Sequence, residues 1–216
     1  FMDRQEEEIS EFIEEFFKAH GIKTWRNEIV PGRYNTFAIL EGIKREEYSS
    51  LLLTGHMDTV PAYDFERAFE PWGDEEYLYG RGVVDMKGAL ASMMCAMVEI
   101  KDRGISLKGD LIFCAVADEE EQGIGTRDLI RTGPEADYTI VGEPTELMQI
   151  CLGHKGLEWI EVTFKGKKVH GGAQSSGVNA IMMAGRYIEK LEKNYLPKLA
   201  ERTHPILGRA TLNVGT

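Results

Sequence analysis

Hydrophobic positions along the chain recur at two periods, and the way these alternate predicts a mixed α/β order. Over residues 3–20, Ile9, Phe12, Ile13, Phe16 and Phe17 fall at helical spacing, which predicts an amphipathic helix facing a core and stopped by Gly21. Two extended segments should follow within residues 22–42 and pair in a sheet, the run from Asn35 to Leu40 being the clearer. Residues 49–54 (Leu51, Leu52, Leu53), 110–117 and 137–141 are short continuous apolar runs, as in strands buried on both faces of a parallel sheet. Helices are expected over 86–103, ended by Gly104, and from Gly123 and Gly125 to about Thr132. In the first, Met93, Met94 and Met97 read as core filler. Beyond residue 148 the pattern changes. Residues 151–165 alternate as a strand does, through Leu157, Trp159, Ile160 and Val162, and 177–193 read as a helix with Ile181, Met182, Ala184 and Leu191 inward. The expected domains are 1–148 and 149–216.

The polar residues that end the apolar runs carry the chemistry. Gly55-His56-Met57-Asp58 follows the first run, Asp118-Glu119-Glu120 the second and Gly142-Glu143-Pro144 the third. Gly82-Val83-Val84-Asp85 precedes a helix, and Val169-His170-Gly171-Gly172 comes later. In open α/β sheets ligands collect outside the carboxyl ends of the strands, so three strands ending in His or carboxylates describe one pocket. Each piece alone has a plain reading: a strand-end turn with Asp58 bonding its own backbone, an acidic first helical turn, a loop, and for His170 a surface loop. The conjunction is far rarer than its parts and points to a carboxylate-rich metal hydrolase.

Composition narrows the partners. A length of 216 residues allows one or two domains, and 43% hydrophobic content is enough for a core. A net charge of −11 argues against nucleic acid and anionic membranes, which leaves small molecules or proteins. Cys95, Cys114 and Cys151 lie in apolar neighbourhoods without close pairing and read as buried free thiols in a reducing compartment, hence a cytoplasmic protein. No apolar run approaches the roughly 20 residues that span a bilayer. The charge run over residues 4–8 reads as a solvated helix face.

The stretch from His56 to Pro61, Leu78-Tyr79-Gly80-Arg81-Gly82-Val83-Val84-Asp85-Met86-Lys87-Gly88, the acidic triplet and Gly142-Glu143-Pro144-Thr145 together resemble the co-catalytic zinc aminoacylase and carboxypeptidase family. That family includes acetylornithine deacetylase, succinyl-diaminopimelate desuccinylase, aminoacylases and dipeptidases. The resemblance implies two zinc ions per active site, with cobalt as a substitute. It makes His56 and Glu143 ligands of the first ion, Asp85 the bridge, Glu120 a ligand of the second, Asp58 the acid orienting His56, and Glu119 the general base. It also implies a cis peptide bond after Asp85. The implied fold is a zinc-exopeptidase-like sheet with flanking helices plus the first half of a smaller two-layer α/β lid and dimerisation domain. Lys165 to Ala173 match the motif in which a lid histidine, here His170, donates to the oxyanion in the partner's site of a homodimer.

Some of the pattern is unmatched. The family's late histidine for the second zinc has no counterpart, and His154 and His204 stand unassigned, so one tightly held zinc and a weak second are expected. Lys155 stands where desuccinylases commonly place an arginine, so no bidentate clamp on a substrate carboxylate is expected there. The chain reads as the N-terminal portion of a longer protein and is expected to be inactive alone. The implied activity is hydrolysis of an amide bond in an N-acyl amino acid or small peptide. The alternative is a non-catalytic metal- or ligand-binding relative, against which the intact Asp58, Asp85, Glu119 and Glu120 argue.

Overall fold

A computed structural model describes residues 5–70, 72–146 and 149–215. The chain divides into two compact units, Phe1–Leu147 and Met148–Thr216.

In the first unit, helix α1 (Gln5–Ala19) is followed by the hairpin β1 (Lys23–Val30) and β2 (Arg33–Leu40), then by β3 (Leu51–His56). A two-stranded ribbon, β4 (Trp72–Gly73) and β5 (Leu78–Tyr79), leads to a π-turn over Val83–Lys87 and helix α2 (Gly88–Asp102). Strand β6 (Leu111–Val116), helix α3 (Ile124–Thr132) and strand β7 (Tyr138–Val141) complete it. The sheet order is β1-β2-β6-β3-β7. β1 and β2 pair antiparallel, as do β2 and β6, while β3 runs parallel to both β6 and β7. The three continuously apolar runs are therefore the three parallel strands.

Strand alternation sorts β6 between two cores. Leu111, Phe113 and Ala115 join Ile13 and Phe17 of α1 and Leu90, Met94 and Met97 of α2 on one face. Ile112, Cys114 and Val116 join Phe37, Leu52 and Leu129 of α3 on the other. Burial on both faces is why β6 reads as an unbroken apolar run.

Several expectations change. Phe12 is 62% exposed, because α1 buries only the narrower Ile13 and Phe17 stripe. Glu6, expected on a solvated face, is buried against Arg33. Helix α2 starts at Gly88, since Asp85 and Met86 hold non-helical backbone. Only Cys114 is a buried thiol; Cys95 lies on the outward side of α2 from Met94 and Met97, and Cys151 is exposed.

The second unit holds helix α4 (Ala180–Lys190), capped by the Asn179 side chain, which accepts from the Met182 N–H at 3.0 Å. A π-turn, helix α5 (Leu196–Ala200) and the small ribbon β8 (Thr203–His204) with β9 (Gly208–Arg209) follow. Residues 151–165 form no strand, contrary to their alternation. A strand exists by its hydrogen-bonded neighbour, and among the described residues the stretch after Cys151 meets only an isolated bridge at Lys167–Val178. Leu157, Trp159 and Ile160 are accordingly exposed, and so is Ile181, which was expected inward.

Candidate metal centre

Four segments of the first unit deliver the polar residues to one place. β3 carries His56 at its carboxyl end and lies between β6, which passes into the turn bearing Asp118, Glu119 and Glu120, and β7, which passes into Gly142 and Glu143. The π-turn ahead of α2 brings Asp85 across these ends. Its close approach depends on Gly55: a side chain there would run into the Met86 thioether, which is fully buried beneath β3. The Lys87 ammonium then donates to the Met57 carbonyl at 2.7 Å, tying the turn to the strand end. Burial lowers the Lys87 pKa. The Asp85–Met86 peptide bond is cis, as the resemblance implies.

His56 is the buried centre of the group, 1% exposed. Its Nε2 lies 2.9 Å from an Asp85 carboxylate oxygen, 3.5 Å from Glu143 and 3.9 Å from Glu119. Its Nδ1 is 3.0 Å from the Asp58 carbonyl oxygen and 3.5 Å from the Asp58 carboxylate, so backbone and side chain of Asp58 share the orientation of the ring. The Asp58 carboxylate also accepts the Glu119 and Glu120 N–H groups at 3.1 and 3.0 Å. One acid thus joins the end of β3 to the end of β6.

The electrostatics follow from this crowding. Burial alone would lower the His56 pKa, but the hydrogen bond and charge of Asp58, with Glu143 and Glu119 behind it, raise it to about 9. Burial would raise Asp58, yet His56 and the two backbone donors hold it below the usual carboxylate range. Glu120 and Glu143 are raised, by burial first and by neighbouring carboxylates including Asp85. Carboxylates that hinder one another's ionisation call for a cation.

The donor set fits one. His56, Asp85 and Glu120 offer ligand atoms within 4.8 Å of one another, as do His56, Glu119 and Glu143. One imidazole with several carboxylates is a set that suits zinc and related divalent ions. Asp58 and Glu120 also border a cavity of about 420 Å³, within the size range of small-molecule sites.

The remaining candidates lie in the second unit. His170 is exposed, and its Nδ1 accepts the Gly172 N–H at 3.2 Å, capping the short 3-10 turn Gly171–Ser176. The His154 Nδ1 lies 3.1 Å from the Lys155 carbonyl oxygen, and the His204 Nδ1 accepts from the Ile206 and Leu207 N–H groups. Neither belongs to the metal-fitting groups found among the described residues. Sequence reasoning missed Arg33 and Asn35, which grip the turn bearing Glu119 and Glu120, and Glu6, which pairs with Arg33. Only the Gly32 hairpin turn beside Arg33 signals that region, and nothing local links it to Asp118.

The model of peptidase family M20/M25/M40 matches residues 52–204. A peptidase M20 domain-containing protein of Schizosaccharomyces pombe is 32% identical over 213 residues, covering 96% of this chain and 50% of that protein. The acetylornithine deacetylase of Vibrio atlanticus is 33% identical over 219 aligned positions, covering 99% of this chain and 56% of that enzyme. The crystal structure of a tripeptidase from Staphylococcus aureus has the same fold, with a TM-score of 0.61 at 24% identity over 84% of this chain and 50% of its own. The chain spans about half the length of the curated relatives it matches. With the match running from β3 into the second unit, and so across every strand end that builds the centre, the chain belongs to peptidase family M20/M25/M40.

Proposed function

We propose that the protein containing this chain is a metal-dependent amidohydrolase that cleaves an amide bond of an N-acyl amino acid or small peptide. The observation that carries the reading is the meeting of buried His56 with Asp85, Glu119, Glu120 and Glu143 at the ends of three parallel strands. The similarity to an acetylornithine deacetylase supports the substrate class. His56, Asp85 and Glu143 would hold a first zinc or cobalt ion, with Asp85 and Glu120 contributing to a second. The chemistry such an ion supplies when bound is polarisation of the amide carbonyl and acidification of water.

The chain's own residues do the rest. Asp58 keeps the His56 ring in place, and a ligand held by an outer partner is oriented and more basic. Glu119, whose side chain is half-exposed beside His56, takes the proton of the attacking water and passes it to the leaving amine. His170 donates a hydrogen bond to the oxyanion in the partner's site of a cytoplasmic homodimer.

The competing reading is a relative that binds a metal or ligand without turnover. Retention of Glu119 beside His56, Asp85 and Glu143, the proposed ligands of the first ion, favours the enzyme, because a binding site has no need of a base. The deciding experiment assays the full-length protein on a panel of N-acyl amino acids and small peptides, after chelation and after zinc or cobalt is restored. Turnover that disappears with the metal and returns with it is expected; metal binding without turnover on any member would establish the binding module.

A further inference from the structure

The turn that carries Glu119 and Glu120 has an unusual backbone. Asp118 sits at φ +62°, the left-handed region that a residue with a side chain rarely adopts. Such a conformation persists only where the surroundings over-determine it. Here the surroundings are one strand, β2, which directs two alternate side chains onto the turn from the same side of the sheet.

Asn35, fully buried, donates to the Gly125 carbonyl at 2.8 Å and accepts the Ala117 N–H at 3.2 Å, so one amide closes both ends of the turn. Gly125 permits this, because a side chain there would collide with the Ala117 carbonyl. Arg33 reaches the middle. Its Nη1 donates to Asp118 at 2.7 Å, while Nε and Nη2 hold both oxygens of Glu6 on α1. Asp118 is 1% exposed and Glu6 4%, and this one guanidinium is the cation paired with both buried carboxylates. The other Asp118 oxygen accepts the Ile124 N–H at 3.3 Å, and its carbonyl accepts the Gly123 N–H at 2.5 Å.

The far side of the same turn faces the metal centre, where Asp58 takes the Glu119 and Glu120 N–H groups. The direction in which both glutamates leave the backbone is therefore set between Asp58 and the β2 clamp. We propose that Arg33 is a positioning residue: by neutralising buried Asp118 it holds the left-handed residue in place and so aims Glu119 and Glu120 at the centre. The inference rests on the proposed function for the role of Glu119, but not for that of Glu120 as a metal donor.

The test uses the full-length enzyme with Arg33→Ala, Arg33→Lys and Arg33→Ala combined with Asp118→Asn. Metal affinity is read by competitive titration, kcat and KM by assay, and folding by circular dichroism and thermal melting. Arg33→Ala is expected to weaken metal binding and lower kcat by about 10- to 100-fold each, the usual range for partners that orient ligands. KM should move little, because the lost aim acts on the reacting groups. Adding Asp118→Asn should restore most of both losses: asparagine tolerates the left-handed backbone and removes the bare charge from the turn, leaving only that of Glu6 on α1. Arg33→Lys, with one point charge in place of a fork, should fall between wild type and alanine. If Arg33→Ala does not fold, the lysine variant decides by the same two readouts. Folded variants that melt at a lower temperature yet keep wild-type metal affinity and kcat would overturn the proposal and leave Arg33 as a core ion pair. If the wild-type protein turns over no substrate, the proposed function fails, and metal affinity alone still decides whether Arg33 aims Glu120.

Discussion

His56 shows how a single residue's surroundings set its chemistry. Its pKa of about 9 without metal means that the ring is protonated at neutral pH, whereas a metal ligand must be neutral. Metal and proton therefore compete for it. Apparent metal affinity should rise by about tenfold per pH unit between pH 7 and 9 from this group alone, and level off above. Competitive titration across that range checks it, and a flat profile would mean that His56 is not a ligand. The sign for folding is opposite. A raised folded-state pKa stabilises the metal-free protein fully below the ordinary histidine value of 6.5, and this contribution disappears as pH rises through about 9. Glu119 supplies a second test at this scale. Glu119→Gln in the full-length enzyme should lower kcat by about 100- to 10,000-fold, the range for a general base, with bound metal unchanged. Since Glu119 also lies in a metal-fitting group with His56 and Glu143, a parallel loss of metal would make it a ligand instead. The residue types of the centre were all legible in the chain, because His and carboxylates directly after apolar runs have a restricted use. Arg33 was not, since its partner Asp118 lies 85 residues away.

Elements were legible where one period dominated. α1, α2, α3 and the three parallel strands form where the apolar spacing places them, within a few residues at their ends. α2 starts two residues beyond the expected Met86, because Met86 still holds the non-helical backbone of the π-turn that carries Asp85. The alternation over residues 151–165 failed as a guide for a different reason: period 2 fixes which side chains share a face, but the strand itself requires a partner. β6 is the element on which the first unit depends most, with both faces buried. Phe113 is fully buried and packs edge-on against Phe17 at a ring separation of 5.2 Å. Phe113→Ala should cost about 3–5 kcal/mol in a denaturant titration of the full-length protein. A loss below about 1 kcal/mol would show that α1 and α2 collapse into the space.

At the scale of the whole molecule the proposed homodimer makes a direct prediction. If His170 serves the partner's centre, mixing full-length His170→Ala subunits with Glu119→Ala subunits should recover activity, because half of the sites in a mixed dimer regain both groups. No recovery in demonstrated mixed dimers would place His170 in its own subunit's site or in none. The sequence by itself determined the family and the meeting of His56, Asp58, Glu119, Glu120 and Glu143, because a parallel sheet brings its carboxyl ends together whatever loops connect them, while Asp85, which no strand carries, was legible through the family resemblance. Tertiary structure alone decided how that set is held: that Asp58 binds the backbone of Glu119 and Glu120, that Glu6 leaves a solvated face for Arg33, and that β2 bonds the turn bearing Glu119 and Glu120. Those contacts, with that of Asn35 to Gly125, pair single polar groups across 27 to 90 residues of chain. Local patterns record which side of an element meets the core, and they carry no trace of which buried charge a distant guanidinium will neutralise.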